Sequence, residues 1–254
     1  MLKYNEFGTG PTLLIAHGLY GSARNWGVIA KRLSDTRHVV VVDMRNHGDS
    51  PRFDTHSYPE MANDLAEVIE HIGAPVDVLG HSMGGKASMA LALTRPELVR
   101  TLISGDIAPV SYAHSQGHFL DAMRAVDLST VSRRSDASAQ LEAQGVSTEL
   151  QSFFTQSLDI STKTWKLNFD ALADDMDKIL SFPTLTGSYD GPTLFLSGAE
   201  SDYVTNDHRP IIKPLFPNAR FAKIPETGHW LHSERPRAFE AAVRTYLDAV
   251  STQA

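Results

Sequence analysis

The chain has 254 residues, 42% of them hydrophobic and 21% charged, a balance that suits one well-buried globular core rather than a disordered or fibrous chain. Its formal charge of −7 comes without a basic cluster, which argues against nucleic acid and anionic membrane surfaces as partners and in favour of small molecules. With no cysteine, disulfides and thiolate metal sites are excluded. No apolar run approaches the ~18 residues that span a bilayer, the N-terminus lacks an apolar signal region, and the cytoplasm is the expected location.

In chain order, Leu2 to Phe7 reads as a short strand and Thr12 to Ala16 as a buried one, separated by turn residues. The loop His17-Gly18-Leu19-Tyr20-Gly21 then falls where an α/β sheet presents its ligand site, and the Leu19 backbone N–H is a candidate donor to an oxyanion, with the His17 side chain packed. Ser22 caps a helix to about Leu33. The apolar stripe of that helix includes Trp26, which either packs in the core or faces a pocket. His38 to Asp43, with four consecutive valines, is a strand buried on both faces, as in a parallel sheet. In the loop after it, Met44 to Pro51, Arg45 and His47 either hold the loop or touch substrate. Tyr58 to Ile72 is an amphipathic helix.

The stretch Val76-Asp77-Val78-Leu79-Gly80-His81-Ser82-Met83-Gly84-Gly85 organises the rest. An apolar run ends abruptly in a serine with a glycine two residues to either side, and a helical pattern follows to about Leu93. This is the pattern of a nucleophile elbow, in which a tight strand-to-helix turn projects a weakly nucleophilic hydroxyl toward a base and a carbonyl. The turn aims the helix N-terminus, with the Met83 N–H, at an oxygen that becomes negative. A further strand, Leu98 to Gly105, ends at Asp106.

There the alternation of strand and helix breaks. Residues 107–190 are helical and polar, with helices expected over Phe119 to Val126, Ala137 to Ala143, Glu149 to Leu158 and Phe169 to Leu180. A helical insertion at the carboxyl edge of a parallel sheet lies over the site, so 107–190 reads as a cap on a core made of 1–106 and 191–254. Its apolar residues exceed what short helices need to pack on one another, and Phe119, Met123, Phe153 and Met176 are candidate pocket residues. The pattern resumes with a strand at Pro192 to Ser197, a helix at Asn206 to Phe216, a strand at Arg220 to Ile224 and a closing helix at Pro236 to Val250.

His229 follows the last strand and precedes the last helix, which is where a general base serving Ser82 belongs in the chain order serine, acid, histidine. Two carboxylates compete to orient it: Asp106 before the insertion and Asp202 after the strand that follows it. Sequence physics leaves them even.

The segments His17 to Ser22, Val42 to Pro51, Gly80 to Ala87, Asp106-Ile107-Ala108-Pro109-Val110 and Gly228-His229-Trp230 resemble the α/β-hydrolases, and within them the small serine esterases of the YbfF type. The resemblance covers nearly the whole chain. It implies an α/β-hydrolase fold, a mostly parallel central sheet flanked by helices, with the cap inserted after Asp106. It also implies esterase or thioesterase activity on a small-molecule acyl ester or thioester, no cofactor and no metal, and an acid at Asp106. The additional Asp202 is a departure from such relatives. A carbon–carbon bond hydrolase or perhydrolase would use the same residues, and a non-catalytic receptor can share the scaffold. A dehalogenase or epoxide hydrolase is disfavoured because Ser82 stands where a carboxylate would be needed.

Overall fold

In the computed structural model, residues 1–113 and 116–252 are described. Seven strands form one sheet in the order β1-β3-β2-β4-β5-β8-β9. They are β1 (Tyr4–Phe7), β2 (Thr12–Ala16), β3 (His38–Val42), β4 (Val76–His81), β5 (Val99–Gly105), β8 (Thr193–Gly198) and β9 (Ala219–Ile224). Only β1 is antiparallel to its neighbour, and the other pairs are parallel. The central strands β2, β4 and β8 are buried almost throughout, because helices cover both faces and an apolar run avoids the cost of a solvated side.

Helices α1 (Gly27–Leu33), α2 (Tyr58–Ile72), α3 (Met83–Thr94), α9 (Arg209–Leu215), α10 (Leu231–Glu234) and α11 (Pro236–Ser251) belong to this alternation. A capping box opens α2, with Ser57 N and Oγ both donating to Glu60 Oε2 at 3.0 and 2.6 Å. The valines of β3 divide between two cores, Val40 and Val42 facing one and Val39 and Val41 the other, as the two-residue period of a strand requires. Strand order reverses between β2 and β4, and the carboxyl ends of β2, β4 and β5 therefore open a crevice at this switch point.

The segment between β5 and β8 holds α4 (Gly117–Arg124), α5 (Arg134–Ala143), α6 (Thr148–Phe154), α7 (Phe169–Asp174) and α8 (Met176–Leu180). Two expected helices are shorter than their sequence pattern. The expected helix from Glu149 to Leu158 ends at Phe154, and Leu158 starts a two-strand hairpin of β6 (Leu158–Asp159) and β7 (Thr164–Trp165). The expected helix from Phe169 to Leu180 divides at Asp175, whose carboxylate accepts the His56 N–H at 2.6 Å and meets Lys178 Nζ at 2.7 Å. In both places a tertiary hydrogen bond or strand pairing outweighs local helix propensity.

Candidate active site

β4 and α3 meet at Ser82 with almost no connection between them. Ser82 has φ 53° and ψ −120°, a conformation that costs an L-residue on the order of 1–3 kcal/mol and persists where the surroundings hold it. Glycine makes the crossing possible: a Cβ on Gly80 would collide with the Gly84 carbonyl, and one on Gly84 with the Ala16 carbonyl of β2. The strand and helix therefore approach within backbone contact, and the hydroxyl stands at the crevice.

Three side chains from distant parts of the chain converge there. His229, in the loop after β9, lies with Nε2 3.1 Å from Ser82 Oγ and Nδ1 2.7 Å from Asp106 Oδ2. A carboxylate accepts, so the imidazole carries its proton on Nδ1 and presents a bare Nε2 to the hydroxyl. Asp106 ends β5 with a positive φ of 49° and is fully buried. Its Oδ1 accepts the Gly198 N–H at 3.1 Å, and its Oδ2 also accepts the Ser201 hydroxyl at 2.5 Å. These bonds compensate the burial of the charge. Asp202 is exposed, and from its loop Ser201 reaches Asp106 instead. The geometry thus pairs His229 with Asp106 and leaves Asp202 in solvent. The Tyr203 ring lies on the His229 imidazole, with centroids 3.9 Å apart and planes inclined by 22°. His81, beside the serine, holds the His229 carbonyl at 2.8 Å.

A cavity of about 210 Å³ opens above Ser82 and is lined by Leu19, Met83, His229 and Trp230 from the sheet side. From the insertion it is lined by Phe119, Leu150, Phe154, Ile179 and Leu180. Leu19 and Met83, the two expected oxyanion donors, thus share a cavity with the hydroxyl. Gly18 O, the acceptor of the peptide that carries the Leu19 N–H, receives His17 Nδ1 at 2.8 Å and Gly21 N at 3.1 Å. In a planar trans peptide this fixes the N–H on the opposite side.

Of the expected pocket residues, Phe119 is on the cavity wall and the others are not. Trp26 is a correction: it is 1% exposed and stacked on His232 at 4.3 Å, filling the core beneath the His229 loop, with Phe239 at 5.8 Å. Met123 points from α4 into the core, fully buried, and Met176 packs half-buried against the same core. Phe153 stands one layer back, its ring 4.4 Å from that of Trp230. Arg45 holds its loop, gripping Asp64 at 2.5 and 3.1 Å, and His17 is packed as expected.

Lys86 escaped the sequence reading although it lines the cavity and is 1% exposed. Its Nζ donates to the Leu180 and Ser181 carbonyls at 2.9 and 2.6 Å, tying the elbow helix to the end of α8. Burial pushes its pKa down to about 7. The available signal was a lone cation amid the small residues of an otherwise uncharged buried helix. Tyr203 and Ser201 carried no such signal, because their roles depend on a loop conformation.

A sequence model of the family described as alpha/beta hydrolase fold matches residues 11–236, and the chain belongs to that family. It is 40% identical to the sn-1-specific diacylglycerol lipase ABHD11 of Mus musculus, over 97% of this chain and 85% of that protein. With Esterase YbfF of Escherichia coli (strain K12) it shares 36% identity over 96% of this chain and 95% of that one. Among solved structures, one titled "Marine microorganism esterase" superposes with a TM-score of 0.91 at 36% identity, covering 96% of this chain and 98% of the other. These relatives make the chain a hydrolase of the esterase and lipase kind. Among the described residues no helix is long and apolar enough to cross a membrane.

Proposed function

We propose that the protein is a serine carboxylic-ester hydrolase that works through an acyl-enzyme on short to medium acyl esters, and that acyl thioesters enter the same site. The observation that carries this reading is the unbroken chain Ser82 Oγ, His229 and Asp106, at 3.1 and 2.7 Å, on the floor of a mostly apolar cavity. His229 Nε2 takes the Ser82 proton as Oγ bonds to the substrate carbonyl carbon. The carbonyl π pair moves to oxygen, where the Leu19 and Met83 N–H groups receive the charge. Collapse of this intermediate expels the alcohol or thiol with the proton from His229. Water then attacks the acyl-enzyme with His229 again as base, releasing the acid and restoring Ser82.

Space supports the acyl-length reading. A cavity of about 210 Å³ lies below the ~300–1,000 Å³ of sites for drug-sized ligands, which favours a short acyl group. Residues 107–190 act as the cap, supplying the apolar wall through Phe119, Leu150, Phe154 and Ile179. Replacement Ser82→Ala tests the reading: ester turnover should fall by several orders of magnitude, to the ~10³–10⁴-fold over water that an oxyanion site and binding alone provide. Most of the wild-type kcat surviving would remove Ser82 from the chemistry.

A further inference from the structure

Two imidazoles outside the Ser82, His229, Asp106 chain touch the two segments that carry the oxyanion donors. The Tyr20 N–H, the amide directly after Leu19, donates to His47 Nε2 at 3.1 Å, and His47 Nδ1 donates to the Arg45 carbonyl at 2.8 Å. A backbone N–H only donates, so His47 carries its proton on Nδ1. His56 is the opposite tautomer. The Asn46 amide is oriented by its Oδ1 accepting the Phe53 N–H at 2.7 Å, so its Nδ2 donates to His56 Nδ1 at 3.3 Å. The His56 proton is then on Nε2, which lies 3.2 Å from Met83 Sδ. The rings of His17, His47 and His56 form one run, with centroids 5.1 and 5.5 Å apart.

Burial keeps both imidazoles neutral: it drives the His47 pKa down to about 3 and His56 well below its ordinary value. Filling core volume alone would need no imidazole, since an apolar side chain carries no polar atoms to desolvate. Every ring nitrogen here is instead spent on a directional bond, and two of these bonds end on segments that border the cavity above Ser82, one at Tyr20 and one at Met83. Tyr20 has φ 63°, a left-handed conformation that a non-glycine residue keeps only when its neighbours over-determine it. Its flanking peptides are pinned on both sides of Leu19: Gly18 O by His17 and Gly21 N, and Tyr20 N by His47.

We propose that His47 and His56 are positioning residues of the oxyanion site. His47 fixes the direction of the Leu19 amide through Tyr20, and His56 fixes the first turn of α3, with its leading Met83 N–H, through the Met83 side chain. The proposal rests on the serine-hydrolase reading above, in which those two amides hold the oxyanion. Since the oxyanion forms after substrate binds, misaimed donors lower kcat and leave KM nearly unchanged.

The test compares His47→Leu, His56→Leu, His47→Gln and His56→Gln, with kcat and KM for p-nitrophenyl butyrate expressed per active site titrated by a fluorophosphonate. Glutamine places an acceptor and a donor near the position of imidazole Nε2, whereas leucine offers neither. Each leucine variant should lose about 10- to 100-fold in kcat with KM within about threefold, less than or comparable to removing an oxyanion donor outright. Each glutamine variant should recover most of that loss. Affinity for butylboronic acid, which forms a tetrahedral adduct on the serine, should fall in step with kcat. Leucine variants that keep kcat within about threefold, or glutamine variants no better than leucine, would overturn the proposal. If the leucine variants do not fold, His47→Asn and His56→Asn, too short to reach the Nε2 position, take their place; failure of these to fold as well would make the imidazoles structural and also overturn it. A wild type that the fluorophosphonate does not titrate, or turnover surviving Ser82→Ala, would instead mean that the underlying reading fails.

Discussion

His229 Nδ1 lies 2.7 Å from Asp106 Oδ2, a bond that joins the loop after β9 to the end of β5 and sets Asp106, rather than Asp202, against the imidazole. Asp106→Asn should therefore lower kcat by about 10⁴-fold, the loss seen when the corresponding aspartate of a serine protease is made an amide and the imidazole takes the wrong tautomer. Asp202→Asn, at an exposed position, should change kcat by less than about threefold. Steady-state kinetics on p-nitrophenyl butyrate decide the matter; reversed magnitudes would move the acid to Asp202.

Acid stability offers a second test, because five imidazoles, His17, His47, His56, His81 and His232, are each at most 4% exposed. Burial pushes His17 down to about 4 and His47 and His232 to about 3, and holds His56 and His81 well below their ordinary value. Their folded-state pKa values are depressed, so below about pH 6.5 the unfolded chain binds protons that the native state refuses. Stability is then fully present above pH ~6.5 and falls with pH, by about 1.4 kcal/mol per unit for each histidine once the unfolded form is protonated. All five acting together would remove about 7 kcal/mol per unit, comparable to a whole domain's stability of about 5–15 kcal/mol. Urea midpoints followed by circular dichroism should begin to drop near pH 6, above the carboxylate range, with unfolding before pH 4. A midpoint unchanged from pH 7 to pH 4 would show that these rings are protonated at no cost.

Two aromatic residues should separate pocket from core. Phe119 lines the cavity, and Trp26 is stacked on His232 beneath it. Phe119→Ala should enlarge the acyl site and shift the preferred ester by one or more carbons, each methylene accommodated being worth at most about 0.8 kcal/mol in kcat/KM. Trp26→Ala should cost about 3–5 kcal/mol of stability and leave the chain-length profile where it was. The measurement is kcat/KM from acetate to decanoate beside a denaturation curve. An unchanged profile for Phe119→Ala would assign that ring to the core of the insertion.

The sheet, its helices and the elbow were legible in the sequence because their signals are local. Four valines in a row need two covered faces, and a serine flanked at two residues by glycine needs a tight crossing, whatever the rest of the chain does. His229 was legible through chain order. The choice between Asp106 and Asp202 was not, because it rests on which of two strand ends faces an imidazole across the sheet, a relation that no spacing encodes. The pocket assignments other than Phe119 failed for a related reason. Met123 and Phe119 lie on the same short helix, four residues apart, yet one points into the core and the other lies on the cavity wall. A periodic pattern identifies an apolar face but not what that face meets. Lys86 was overlooked because a buried lysine goes against composition, and it is explained by the carbonyls at the end of α8 together with the Tyr58 and Tyr112 rings beside its Nζ.

The central claim is that Ser82 is the nucleophile, and the most direct measurement is covalent modification followed in parallel with turnover. The protein would be titrated with a fluorophosphonate, the adduct mapped by peptide mass spectrometry, and residual p-nitrophenyl butyrate hydrolysis measured at each step. The account predicts a single phosphonyl group per chain, on Ser82, with activity falling in proportion and reaching zero at full occupancy. Modification at another residue, or complete modification of Ser82 with hydrolysis intact, would contradict it.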